Sequence, residues 1–349
     1  MIPMHSDDSN EGLARREFLK ASAMATAALT AGGAVAVDSP KDGLDYRNHR
    51  PDRMQYRQLG RTKLMCSRLV FGGGAALSGG RAVRLLDRAF EAGVNHFDLG
   101  SNSYYKQAEN AFADFYKANK GNIWVTSKAP VRPISLKPGE SITVEQAQAA
   151  AKQWSGLLDQ SLIDMKAEYV DAYYLMMVDQ PSLVKSEEMK KAFDAAKAAG
   201  KVGHFGISTH TRAHACLEAA IEAGFYDVAM IALSPAGWYS PISAKIEKDS
   251  PTLKDVQPLL ARAREAGIGL VGMKAGRFLS APGAEGKGNT TAFDSHYGPK
   301  LMDASLSPFQ RAYAYVLGNG LDVVNADMQN FAHLEENLVA ANTSHTYFA

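Results

Sequence analysis

The 349-residue chain has little of several things that would narrow its chemistry at once. It carries two cysteines, Cys66 and Cys216, with no CxxC pair and no His-rich neighbour beside either. A disulfide framework and a zinc site, or any other metal centre, are therefore not expected. Lys and Arg total 38 against 37 Asp and Glu, a net charge of +1, so nothing predicts a basic face for nucleic acid or acidic membranes. No Gly-x-Gly-x-x-Gly fingerprint follows the first apolar run, because Gly72-Gly73-Gly74-Ala75 lacks the third glycine at the required offset. No apolar stretch reaches the ~20 residues of a membrane span. What remains, 46% hydrophobic and 21% charged, is a globular composition with length for one large domain or two smaller ones.

The N-terminus reads as an address. Ala14-Arg15-Arg16-Glu17-Phe18-Leu19-Lys20 sets a twin arginine before Phe-Leu-Lys. An Ala-rich, mildly apolar run follows and ends in the small-x-small site Ala34-Val35-Ala36. That order predicts a twin-arginine (Tat) export signal over residues 1–36, cleaved rather than kept as an anchor. The Tat machinery is then an expected partner, the location periplasmic or secreted, and stable membrane insertion after cleavage is not expected. Such a route carries proteins already folded, often with a cofactor inserted beforehand. Residues 37–55, polar and rich in Asp, Lys, Arg and Pro, read as a linker.

From Tyr56 onward one unit repeats: a short apolar run, a polar break, then a helical pattern. The apolar runs lie at 68–72, 94–98, 122–127, 169–176, 202–208, 228–233, 267–273 and 321–325. Between them, apolar residues recur at spacings of three and four, and several of these segments stop at a glycine: Gly93, Gly200, Gly224 and Gly267. Strands that are continuously apolar and alternate with helices imply a parallel sheet covered on its outer face. The number of units predicts an α/β fold, a closed (β/α)8 TIM barrel over 56–349, with a doubly wound open sheet as the alternative. The stretches Ser234–Thr252 and Pro282–Leu306 are long connections that would sit at the barrel mouth. Trp238 and Tyr239 could cover a ligand there or pack the loop down.

Chemistry is concentrated where the second and third runs end. Asn95-His96-Phe97-Asp98 breaks into a polar loop that offers Tyr104 and Tyr105, and Trp124-Val125-Thr126-Ser127 runs into Lys128. A carboxylate, a phenol and an ammonium at strand ends are the parts of an acid/base site.

These residues carry a family resemblance. Tyr56-Arg57-Gln58-Leu59-Gly60-Arg61-Thr62, Gly93-Val94-Asn95-His96-Phe97-Asp98 and Val125-Thr126-Ser127-Lys128 resemble successive motifs of the aldo/keto reductases. The likeness continues through Ser161-Leu162, Tyr169-Val170-Asp171-Ala172-Tyr173, Gly200–Ser208 and His333-Leu334-Glu335-Glu336-Asn337, spanning nearly all of the chain after the export signal. It implies an oxidoreductase that uses NADP, or NAD, to move hydride between the nicotinamide and a small carbonyl or alcohol. By resemblance a tyrosine donates the proton, its pKa lowered by Lys128, which Asp98 holds in place. The family spacing puts that tyrosine at Ser103; one added loop residue gives Tyr104, with Tyr105 as second candidate.

The resemblance also marks departures. Where the family usually ends its fourth strand with a histidine that hydrogen-bonds the carbonyl, this chain has Met176, whose thioether cannot donate. Ser208 matches a residue expected at the nicotinamide amide, but its usual Asn partner is Thr209, and the aromatic expected to stack on the ring is Leu233. Gln329 stands where a base would meet the 2′-phosphate, with Asp327 beside it; Glu336 and Asn337, expected at the adenine, are retained. Lys274 and Arg277 could face a pyrophosphate. The departures leave two other readings: a barrel that binds a ligand or partner without hydride transfer, and an enzyme of another class reusing the acid/base set.

Overall fold

The computed structural model of the protein describes residues 43–131, 140–240, 245–247, 249–280 and 288–348. The predicted export signal, residues 1–36, lies outside them.

The chain past Gly43 opens with an antiparallel hairpin, β1 (Tyr56–Gln58) and β2 (Met65–Ser67). Parallel strands follow: β3 (Leu69–Gly72), β4 (His96–Asp98), β5 (Trp124–Pro130), β6 (Val170–Met176), β7 (Val202–Thr209) and β8 (Val228–Ser234). A short antiparallel flap, β9 (Gly237–Ser240) with β10 (Lys245–Ile246), precedes β11 (Gly269–Met273) and β12 (Val323–Asp327). Each of β3, β4, β5, β6, β7, β8, β11 and β12 pairs in parallel with its neighbours, and β12 returns to β3, so the sheet closes on itself. The fold is the predicted (β/α)8 barrel.

Side-chain parity organises the core. Along β6, Ala172 and Tyr174 point into the barrel, where they meet Val70, Trp124, Met230, Val271 and Val323. The alternate residues Tyr173 and Leu175 point out to the helices, with Phe71, Phe97, Ile207 and Val324. This is period-two alternation on a sheet buried on both faces. Leu59, Leu64 and Cys66 of the hairpin plug the bottom of the barrel, and a Cβ on Gly269 would lie 2.7 Å from Leu59, so that strand must carry glycine to admit the plug.

The covering helices begin on capping residues. For α1 (Val144–Asp164), Thr143 and Gln146 form a reciprocal capping box, and Ala147, Ala150, Trp154, Leu158 and Leu162 make the buried stripe. For α2 (Leu253–Glu265) the box is Thr252 with Asp255, and the helix runs through Pro258. The cap fixes the first turn before the proline, and the carbonyl that loses its donor belongs to the exposed Lys254. Gly224 ends its helix at φ +72, and Gly93, Gly200 and Gly267 also have positive φ, as the pattern implied.

The linker reading of residues 37–55 needs correction from Leu44 onward. Arg47 donates to Asp171 at 2.6 Å and to the Ile123 carbonyl at 2.9 Å. Asn48 bonds the carbonyls of Phe90 and Val94, and Met54 is fully buried. These residues strap the lower face of the barrel. Their polar composition reflects hydrogen bonds to strand and helix ends that a composition reading takes for solvation. Trp238 and Tyr239 lie on β9 and are buried, in keeping with the packing alternative.

Candidate active site

At the C-terminal ends of the strands a cleft of about 410 Å³ opens, within the roughly 300–1,000 Å³ usual for small-molecule sites. Strand parity decides what enters it. Asp98 ends β4 and Lys128 stands near the end of β5; both are buried and point inward. Lys128 Nζ lies 2.5 Å from Asp98 Oδ2 and also donates to the Leu99 carbonyl. Asn325 on β12 donates to the same Asp98 oxygen at 2.6 Å. Burial pushes the Asp98 carboxyl above its ordinary value, while Lys128 and Asn325 oppose that push. Asp98 Oδ1 has no protein partner among the described residues.

The tyrosine in the cleft is Tyr105. Ser101 opens a single helical turn, Asn102–Tyr105, and adjacent residues on such a turn point in directions about 100° apart. Tyr104 points outward and is 40% exposed, whereas Tyr105 lines the cleft. The Tyr105 ring fits between two glycines: a Cβ on Gly74 would lie 2.9 Å from it, and one on Gly100 2.6 Å. Lys128 Nζ is 6.0 Å from the ring centroid. Of the two candidate tyrosines, the structure brings the second, Tyr105, into the cleft and leaves Tyr104 outside it, two loop residues beyond the family spacing. Burial raises the Tyr105 phenol above its ordinary value, helped by the Asp98 carboxylate, so the phenol keeps its proton at neutral pH. The resemblance implied the opposite direction. Lys128 is already engaged by Asp98 and Leu99, and the near-neutral pair does little to favour a phenolate.

A buried glutamate joins the two halves of this arrangement. Glu109, on α3 (Ala108–Asn119), accepts from Ser127 Oγ at 2.6 Å, next to Lys128, and from the Asn102 backbone N–H at 3.1 Å, in the turn that carries Tyr105. Asn102 Oδ1 accepts the Glu109 N–H in return at 3.1 Å. Lys106 and Gln107, both at positive φ, make the sharp bend between turn and helix.

Met176, Ser208, Lys274, Arg277, Gln329, Glu336 and Asn337 all line the cleft. Gln329 donates to Asp327 at 3.0 Å, and Glu336 accepts from Ser307 Oγ. Thr209 and Leu233 do not enter it. Each is the wrong parity on its strand: Thr209 is buried with its hydroxyl on the Thr211 carbonyl at 3.3 Å, and Leu233 packs outward among the helices. The inward positions bring His210 and Met230 instead, together with Met273, Asn325 and Asp327. Counting alternate residues from Ser208 would have found His210. Among the described residues, no cluster of His, Cys, Asp and Glu suits a metal ion.

The aldo/keto reductase family model matches residues 68–277, more than half of the chain. The chain belongs to the aldo/keto reductase family. The L-glyceraldehyde 3-phosphate reductase of Escherichia coli is 31% identical over 172 residues, 46% of this chain and 46% of that protein. The chain thus spans about half the length of the curated relatives it matches. Among solved structures, an aldo-keto reductase from Bacillus halodurans in its holo form matches with a TM-score of 0.59 at 20% identity, covering 82% of this chain and 90% of that one. One from Klebsiella pneumoniae in complex with NADPH matches at 0.57 and 16% identity, covering 83% and 90%. At such identities these two likenesses speak for the fold alone. No helix among the described residues is long and apolar enough to cross a membrane.

Proposed function

We propose that this aldo/keto reductase carries out NAD(P)-dependent interconversion of a small carbonyl compound and its alcohol in the cleft. The observation that carries the reading is the convergence of Tyr105, Lys128 and Asp98 at the mouth of the barrel.

The donor set fits a nicotinamide dinucleotide. Lys274 and Arg277 offer two cations to a pyrophosphate, Ser208 a hydroxyl to the carboxamide, and Asn337 an amide to the adenine. The carboxylates of Asp327 and Glu336 on the same cleft oppose a 2′-phosphate dianion, so NADH is expected to bind at least as tightly as NADPH. When bound, the nicotinamide supplies or accepts the hydride. The chain's own residues do the rest. Tyr105, protonated at neutral pH, gives its proton to the carbonyl oxygen. The Lys128 ammonium then stands near the phenolate that is left, and Asp98 and Asn325 keep that ammonium in position.

The twin arginine at Arg15-Arg16 supports export of the folded protein as part of this reading. Replacing both arginines with lysine is expected to hold the protein in the cytoplasm, as read by cell fractionation.

The direct test is titration of the full chain with NADH and NADPH, followed by nucleotide fluorescence. Saturable binding that weakens on Arg277→Ala supports the proposal. Failure of both nucleotides to bind at roughly millimolar concentration would remove it and leave a barrel with another ligand.

A further inference from the structure

Met176 leaves a gap in the proposed chemistry. A carbonyl oxygen that gains negative charge is stabilised by every hydrogen bond aimed at it, and a thioether gives none. The neighbouring strand offers a side chain that can. Met176 on β6 pairs with Ser208 on β7, and the inward alternation carried one residue past the end of β7 falls on residue 210, which lines the cleft. With a rise of about 3.3 Å per residue and about 4.8 Å between strands, the 210 backbone stands about 8 Å from that of Met176, toward the mouth. An imidazole reaches back over half of that distance. His210 lines the same cleft as Tyr105, Lys128, Asp98 and Met176. No hydrogen bond engages either of its ring nitrogens among the described residues, although the ring is largely buried.

Resting on the reading above, we propose that His210 donates a hydrogen bond from its neutral ring to the substrate carbonyl oxygen, the task Met176 cannot perform. Its environment suits that task. Burial, then the ammoniums of Lys274 and Lys128, bring its pKa down to about 4, so at neutral pH the ring carries a single N–H. A neutral imidazole does not compete with Tyr105 as the acid, and no proton moves through it. The oxygen receives the Tyr105 proton on one side and a standing hydrogen bond from His210 on the other. Lys274, one of the charges that keep His210 neutral, also favours the developing negative charge.

Three variants of the full chain separate a donor role for His210 from that of an aromatic wall. His210→Phe keeps the wall and removes the donor. Its kcat is expected to fall on the order of a hundredfold, with the nucleotide Kd and the carbonyl KM within about threefold of wild type. His210→Gln keeps a donor and is expected to recover at least about a tenth of wild-type kcat. Met176→His placed on His210→Phe returns a donor from the other strand and should raise kcat above that of His210→Phe alone. A readout independent of turnover is the ring 15N–1H signal of His210 in Tyr105→Phe protein loaded with reduced nucleotide. That signal should shift when the aldehyde reduced by wild type is added at saturation. Wild-type kcat in His210→Phe, equal loss in the Phe and Gln variants, or an unmoved ring signal would overturn the inference while leaving the nicotinamide reading intact. A wild-type protein that binds neither nucleotide would remove both.

Discussion

Tyr104 and Tyr105 are neighbours in sequence and opposites in environment, which makes them the sharpest residue-level comparison the site offers. Tyr105→Phe should lower turnover by about 10²–10⁴-fold while nucleotide binding persists, because it removes the proton donor and little volume. Tyr104→Phe, out on the exposed side of the turn, should stay within a few-fold of wild type. Asp98 and Lys128 form a buried pair, so losing one partner strands the other charge. Asp98→Asn or Lys128→Met should each cost about 3–5 kcal/mol in urea unfolding, and Asp98→Leu with Lys128→Met should cost less than the two singles together. His96 gives a pH signature of its own. It is fully buried against Thr126, and burial, with Lys128 second, lowers its pKa to about 3. The folded state refuses a proton that the unfolded state takes up near pH 6.5. Its contribution to stability is whole above that pH and drains away as pH falls toward 3. Between pH 6.5 and 4 the wild type should lose stability faster than His96→Gln, by up to about 1.4 kcal/mol per pH unit, as measured by urea titration at each pH.

At the scale of elements, the turn Asn102–Tyr105 and β5 are coupled through Glu109, which bonds both. Glu109→Ala should therefore lower kcat although its carboxylate is behind the cleft, and Glu109→Gln, which keeps the geometry, should recover part of the loss. The strap at 44–55 makes a second prediction. A chain starting at Tyr56 should melt lower than one starting at Leu44, since it loses the Arg47–Asp171 ion pair and the Asn48 bonds. Element existence was legible in the sequence because the apolar runs and helix stops are strong local signals. Which face a residue takes was legible too, but only by counting alternate positions. The family pattern put Thr209 and Leu233 at the nicotinamide, whereas strand parity turns both toward the helices and brings His210 and Met230 inward. Tyr105 was harder. Loop length between Asp98 and the helix is set by Lys106 and Gln107 at positive φ, and neither residue type announces that conformation.

For the whole molecule, closure of the parallel sheet is what brings Asn325, near the end of the last strand, onto Asp98 of the second barrel strand, 227 positions apart. No local pattern could give that contact, which holds the carboxylate that in turn engages the ammonium of Lys128. The central claim is that this closed mouth transfers hydride with Tyr105 as the acid. The measurement that tests it most directly uses reduced nucleotide with both nicotinamide C4 hydrogens replaced by deuterium. It is offered to the full-length protein with a panel of small aldehydes, and the alcohol is read by mass spectrometry. The account predicts deuterium on the former carbonyl carbon, carried over by wild type and Tyr104→Phe and lost in Tyr105→Phe. An alcohol without deuterium, or transfer that survives in Tyr105→Phe and fails in Tyr104→Phe, would contradict it.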